Sequence, residues 1–143
     1  MPVDLPILKA VLVQAGLTFC LLFWMGKERF QAVRAGTVVR NDPGVRPTWT
    51  GRAGTVSNAF HNQLEMPILF YVVVILAILT GSADSIMTAL AWVYVVLRIV
   101  HAAIHTTYNK VLHRFLVYLV SNIVLIVMWV KFAVHVLAAG GPA

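Results

Sequence analysis

Apolar residues dominate four stretches of the chain, at about 5–25, 57–80, 85–107 and 112–139. Each is close to or above the roughly 20 residues a helix needs to cross bilayer hydrocarbon. None alternates apolar and polar positions over ten-residue segments, so membrane strands are excluded. The pattern predicts an all-α membrane protein, a bundle of four transmembrane helices in a single domain over 1–143. Gly81-Ser82-Ala83-Asp84 joins the second and third stretches, with a glycine for the helix end and Ser or Asp to cap the next helix. A short polar segment, 107–113, joins the third and fourth. Only the first connection, 26–54, is long, and its Pro and Gly residues argue against a continuous helix.

The polar positions inside these stretches are not scattered. Tyr94, Arg98, His101, His105 and Tyr108 recur at spacings of four, three, four and three, which places them on one helical face. A cation at membrane depth is costly and normally faces a bundle interior or a water-filled cavity. The second stretch opens with Asn58, His61, Asn62 and Glu65 on one face, followed by Pro67, which removes a backbone donor and can bend the helix. The fourth opens with Arg114, Tyr118, Ser121 and Asn122 on one side and His113 at its mouth. Taken singly, each has a structural explanation: a snorkelling anchor for Arg114, a Glu65–Arg98 ion pair, amide links between helices. Together they exceed what packing four helices requires.

Composition agrees with lipid as the solvent. The chain is 60% hydrophobic and 11% charged, against about 25% charged in soluble domains. The formal net charge of +6 is concentrated in two connections. The first holds Lys27, Arg29, Arg34, Arg40, Arg46 and Arg52, the third Lys110 and Arg114, and the second only Asp84. The positive-inside rule puts both basic connections in the cytoplasm and both termini on the opposite side, in the inner or plasma membrane for a bacterial chain. Topology and contact with anionic lipid account for the basic charge without nucleic acid. The first apolar run is too long, and its charged start too weak, for a signal peptide. Cys20 is the single cysteine, so a disulfide or a cysteine metal cluster within one chain is excluded.

These side chains suggest a ligand. Two arginines suit carboxylates, Glu65 an ammonium, and the His, Asn and Tyr residues amides and hydroxyls. A zwitterionic, peptide-like molecule with more than one carboxylate matches, and an apolar co-substrate can enter from the lipid. His101 with His105, and His61 with Glu65, also stand at i and i+4, which leaves a helix-bundle metal or haem site open. There is no internal repeat to favour a transporter.

The motifs resemble the MAPEG superfamily, the membrane-associated proteins in eicosanoid and glutathione metabolism. Arg40-Asn41-Asp42-Pro43 is similar to an Arg-x-Asp-Pro element in that family's first loop, and Asn62-Gln63-Leu64-Glu65 to its Asn-x-x-Glu. Arg98-x-x-His101 and Arg114-x-x-x-Tyr118 resemble motifs of the prostaglandin synthase branch. The resemblance implies a homotrimer with glutathione bound between subunits. Asn62 and Glu65 of one subunit would then meet Arg98, His101, Arg114 and Tyr118 of its neighbour, with His61 and His105 at further glutathione contacts. Arg114 would be the catalytic residue that stabilises the thiolate. The implied activity is a glutathione transferase or peroxidase acting on a lipophilic electrophile, with no resident metal.

Three positions depart from that pattern. His105 stands where the branch has Tyr, His61 where the family often has Arg, and Phe115 where the branch has Ser after its arginine. These departures keep a second reading open, a non-catalytic member that binds a lipid or a partner without turning glutathione over.

Overall fold

The computed structural model describes residues 5–39 and 43–139. Most of the Arg40-Asn41-Asp42-Pro43 element lies outside the described residues. Five helices follow in order: α1 (Leu5–Arg34), α2 (Gly51–His61), α3 (Met66–Leu79), α4 (Ser85–Thr106) and α5 (Val111–Ala139). They form four units long and apolar enough to cross a membrane, with α2 and α3 together making the second. Among the described residues the sole strand-like pairing is an isolated antiparallel bridge between Val39 and Thr48.

Besides an earlier start of the second unit, at Gly51 instead of 57, two features differ from the expected ones. The first helix does not stop at residue 25 but continues to Arg34. The breakers assigned to the whole 26–54 connection cluster after that point, at Gly36, Pro43, Gly44, Pro47, Gly51 and Gly54. The extension is anchored instead by polar contacts. Trp24 Nε1 donates to Glu28 Oε1 at 2.9 Å, and Arg52 pairs with the same oxygen at 3.2 Å. Arg29 Nε donates to Ser57 Oγ at 2.9 Å, and its guanidinium lies 4.8 Å from the Trp49 ring centroid.

The second difference is the interrupted second unit, expected as one helix over 57–80. The Pro67 ring has no N–H and collides with a helical carbonyl four residues back, that of Gln63. The chain therefore leaves the helix after His61 and restarts at Met66, with Pro67 in the first turn, where the lost donor costs nothing. Tight turns close the gap: Gln63 N–H donates to Phe60 O, and Leu64 N–H to His61 O, each at 2.9 Å.

Helix α4 is central and packs against α5, α1 and α2. Its inner face joins Phe70 and Val74 of α3 and Leu125 and Met128 of α5 in the main core. Tyr94 stacks on Phe70 at a centroid separation of 4.7 Å. The outward faces stay apolar, with Phe23 at 75% and Leu137 at 77% exposure. Such surfaces suit lipid or further copies of the chain. Inside, Gln14 Nε2 of α1 donates to Gln63 Oε1 at 2.9 Å. Both side chains are buried, so α1 is tied to the interruption by a polar contact.

At the far end, Gly81 takes a left-handed conformation (φ 68°), and Asp84 caps α4 through a 2.8 Å bond from Met87 N–H. Lys131 Nζ reaches Asp84 Oδ2 at 2.7 Å. The Lys131 ammonium, followed by the Met87 amide, holds the Asp84 carboxyl below the ordinary aspartate range. A depressed carboxylate stabilises the fold above its unfolded value, about 3.9, and that contribution is lost as pH falls through the lower folded value. Asp84→Asn keeps an oxygen that can cap α4 and removes the Lys131 ion pair, so it is expected to cost about 0.5 kcal/mol at neutral pH. Thermal unfolding in detergent should show this gap at pH 7 and its closure in acid, below the lowered Asp84 value.

Candidate functional site

Arg98 lies on the polar stripe of α4. Arg98 is fully buried, and its Nη2 donates to the main-chain carbonyl of Asn62 at 2.7 Å. That carbonyl is one the interruption releases from helical pairing. In an apolar surround a free carbonyl needs a donor, and Arg98 supplies it. The guanidinium also faces the Tyr118 ring at 5.8 Å. Glu65, the N-cap of α3, acts on Arg98 only at longer range and forms no ion pair with it among the described residues.

Below Arg98 on the same face, the His101 and His105 ring centroids lie 6.0 Å apart, and His101 is 5.6 Å from Tyr118. They open onto a cavity of about 370 Å³, lined by Asn58 and Asn62 of α2 and its end, His101 and His105 of α4, and Val111, Arg114, Phe115 and Tyr118 of α5. Arg114 is half-buried at its edge. Its Nη1 donates to Asn109 Oδ1 at 2.8 Å and meets His105 Nε2 at 3.1 Å. A guanidinium has no acceptor, so His105 Nε2 must accept and the imidazole is the neutral tautomer protonated on Nδ1.

Charge accounting sets the character of this cavity. Among the described residues, the carboxylate ion pairs are Arg52–Glu28 and Lys131–Asp84. Neither arginine of the site has a carboxylate partner, and both partners of Arg114 Nη1 are neutral. Polar capacity is also left over: Arg98 Nε and Nη1 and His101 Nδ1 are buried without a hydrogen-bond partner. A site with two uncompensated cations and spare donors favours an anionic, hydrogen-bonding ligand.

The predicted residues separate into three groups. Asn62, His101, His105, Arg114 and Tyr118 share one cavity. Arg98 lies behind it and is not on its wall. His61 and Glu65 are exposed and stand outside it. His61 lines a neighbouring cavity of about 570 Å³ with Arg29, Arg46 and Trp49, and the two cavities share Asn58.

Two expectations need correction. The α2 stripe does not run on to Glu65, because the helix ends at His61 and the chain turns. Tyr108 does not share the α4 face, because α4 ends at Thr106; its hydroxyl lies 3.3 Å from His113 Nδ1 instead. The resemblance implied a meeting of Asn62 with Arg98 of a neighbouring subunit; within one chain, the interruption brings the Asn62 main-chain carbonyl onto Arg98. Asn109 was missed altogether. Its signal was slight: an asparagine, the residue that best tolerates a left-handed turn after glycine, five positions before Arg114.

The MAPEG family model matches residues 7–134, which covers the whole of this cavity, the second and third membrane-crossing units and most of the first and fourth. The chain belongs to the MAPEG family. Neither the curated proteins nor the solved structures contain a match to it. As a MAPEG protein it is an integral multi-pass membrane protein, and its family-level role is related to glutathione and eicosanoids. Among the described residues no three His, Cys, Asp or Glu side chains stand close enough to hold the ion of the metal alternative.

The Arg98–Asn62 contact predicts a local effect. Arg98→Met should leave the helices intact but free the end of α2, raising amide hydrogen exchange across 60–66 by about tenfold, the loss of roughly 1.5 kcal/mol from a charge-assisted bond. Exchange mass spectrometry in detergent checks this, with 85–95 as the unaffected internal control.

Proposed function

We propose that this MAPEG protein is a glutathione-dependent membrane transferase or peroxidase that acts on lipophilic electrophiles. The observation that carries the proposal is Arg114, held by two neutral partners at the edge of a cavity that contains no carboxylate. An arginine so placed keeps its full charge available. A free thiol ionises near pH 8.5, and a neighbouring guanidinium lowers that value by favouring the thiolate. Arg is suited to the role because it remains protonated and offers several donors in a fixed fork.

Glutathione, when bound, supplies the nucleophilic sulfur. The chain supplies the rest. Arg114 stabilises the negative charge on that sulfur and orients it. Asn62, His101 and Tyr118 offer hydrogen bonds to the peptide amides and carboxylates, and Asn58 links the first cavity to the cationic second one, with Arg29, Arg46 and His61. Arg98 supports the wall. Val111 and Phe115 give the cavity an apolar side, where a lipid-borne electrophile can approach.

The working unit in this proposal is a homotrimer, with both basic connections on the cytoplasmic side and glutathione entering from there. A neighbouring subunit would complete the ligand cage, bringing exposed groups such as Glu65 into play. The same apolar wall favours a second reading, a lipid-binding regulatory member without turnover. Catalysis separates the two.

Isothermal calorimetry of the detergent-solubilised protein should show saturable glutathione binding, and the protein should conjugate a generic lipophilic electrophile. Arg114→Ala is expected to lower turnover by about 100-fold or more, the usual loss when one charge-stabilising donor is removed. Binding without turnover would leave the regulatory reading standing. No binding at all would remove the proposal.

A further inference from the structure

The connection between α4 and α5 is only four residues long, Thr107, Tyr108, Asn109 and Lys110. Within it Asn109 has a φ of 47°. Left-handed backbone costs most residues about 1–2 kcal/mol, and Asn is one of the few that visits it routinely. The conformation has two consequences. The main-chain N–H of Asn109 turns back to Ile104 O at 2.9 Å and closes the end of α4. The side chain turns towards α5, and its Oδ1 accepts from Arg114 Nη1 at 2.8 Å.

A guanidinium carries five N–H donors. The two on Nη1 face Asn109 and His105. The remaining three, on Nε and Nη2, have no hydrogen-bond partner among the described residues. Without Asn109 the end of the guanidinium would be tied at one point and free to rotate. With an aspartate in its place the arginine would be equally well held, but its charge would be spent on a carboxylate. A neutral amide does the one job without undoing the other.

We infer that Asn109 is a positioning residue, a left-handed turn asparagine that orients Arg114 while leaving its charge free for a bound thiolate. This inference rests on the glutathione reading of the same site. The titratable and charged groups facing Arg114 are His101 and His105 from α4 and Tyr118 from α5, with Lys110 and His113 flanking it in sequence. Helix α2 contributes only the neutral Asn58 and Asn62.

Two substitutions separate orientation from charge. Asn109→Gly keeps a backbone suited to positive φ and removes the amide. Asn109→Asp keeps the acceptor and adds a negative charge. The readouts are the pH dependence of the thiolate absorbance of bound glutathione and of kcat/KM for a lipophilic electrophile. In Asn109→Asp the thiolate midpoint should move up by about 1 on the pH scale, as expected when an opposite charge is added next to the cation. In Asn109→Gly the kcat should fall about tenfold, with KM for glutathione changing far less.

A purely structural asparagine would lower thermal stability in one or both variants and leave the midpoint and kcat of the folded protein at wild-type values. That result overturns the inference. If wild-type protein binds no glutathione, the functional reading fails by itself, and the contact is then tested without ligand. Rotation of the Arg114 guanidinium about Nε–Cζ, followed by ¹⁵N NMR, should be slow in wild type and in Asn109→Asp and fast in Asn109→Gly. Equal rotation in wild type and the glycine variant contradicts the inference whatever the ligand.

Discussion

A carbonyl released inside an apolar bundle must find a donor, and the 2.7 Å bond from Arg98 to Asn62 O meets that requirement. The chain of causes begins at Pro67. Its ring forbids a helical Gln63 carbonyl, so the second membrane unit breaks, and the break frees polar groups at membrane depth. Gln14 of α1 takes the Gln63 side chain, and Arg98 of α4 takes the Asn62 carbonyl. The end of α2 is thereby fixed against α4, with Asn58 and Asn62 on the wall of the same cavity as His101 and His105. A straight helix over 57–80 would continue the α2 face and separate these groups.

Magnitudes explain why Arg98 is not self-sufficient. Burying a charge costs several kcal/mol after relaxation. One charge-assisted hydrogen bond returns about 1.5–3 kcal/mol, and a cation–π contact about 0.5–2. The deficit leaves the region electropositive, which favours an anion nearby. Arg98 and Arg114 contribute to that field in different ways. Arg98 is sealed behind the wall and holds main chain. Arg114 lines the cavity, is held by neutral groups and keeps its remaining donors unpaired among the described residues. The fold-maintaining task and the chemical task therefore fall to different arginines.

Much of this was legible in the sequence. The four spans follow from hydrophobic length, and the Gly81–Asp84 turn follows from its residues. Helical spacing put His101 and His105 on one face of the third apolar stretch and Arg114 and Tyr118 on one side of the fourth, and one cavity is lined by all four. What failed has physical causes. The extension of α1 to Arg34 depends on contacts with Ser57, Trp49 and Arg52, far away in sequence. The stripe on α2 was extrapolated through a proline whose clash acts four residues upstream and so removed Glu65 from the face. The exposure of His61 and Glu65 belongs to one chain, and a site shared between subunits would be incomplete there. Asn109 escaped notice because its role depends on one backbone angle, which no periodicity reveals.

The proposed function requires the cavity to bind a thiol as its thiolate through an uncompensated arginine. Calorimetric titration with glutathione at pH 7, in buffers of differing ionisation enthalpy, counts the protons released on binding. Because a free thiol is protonated at that pH, thiolate binding predicts release of about one proton per occupied site. Saturable binding with no proton release would show that the peptide is held with its thiol intact, and would contradict the claim.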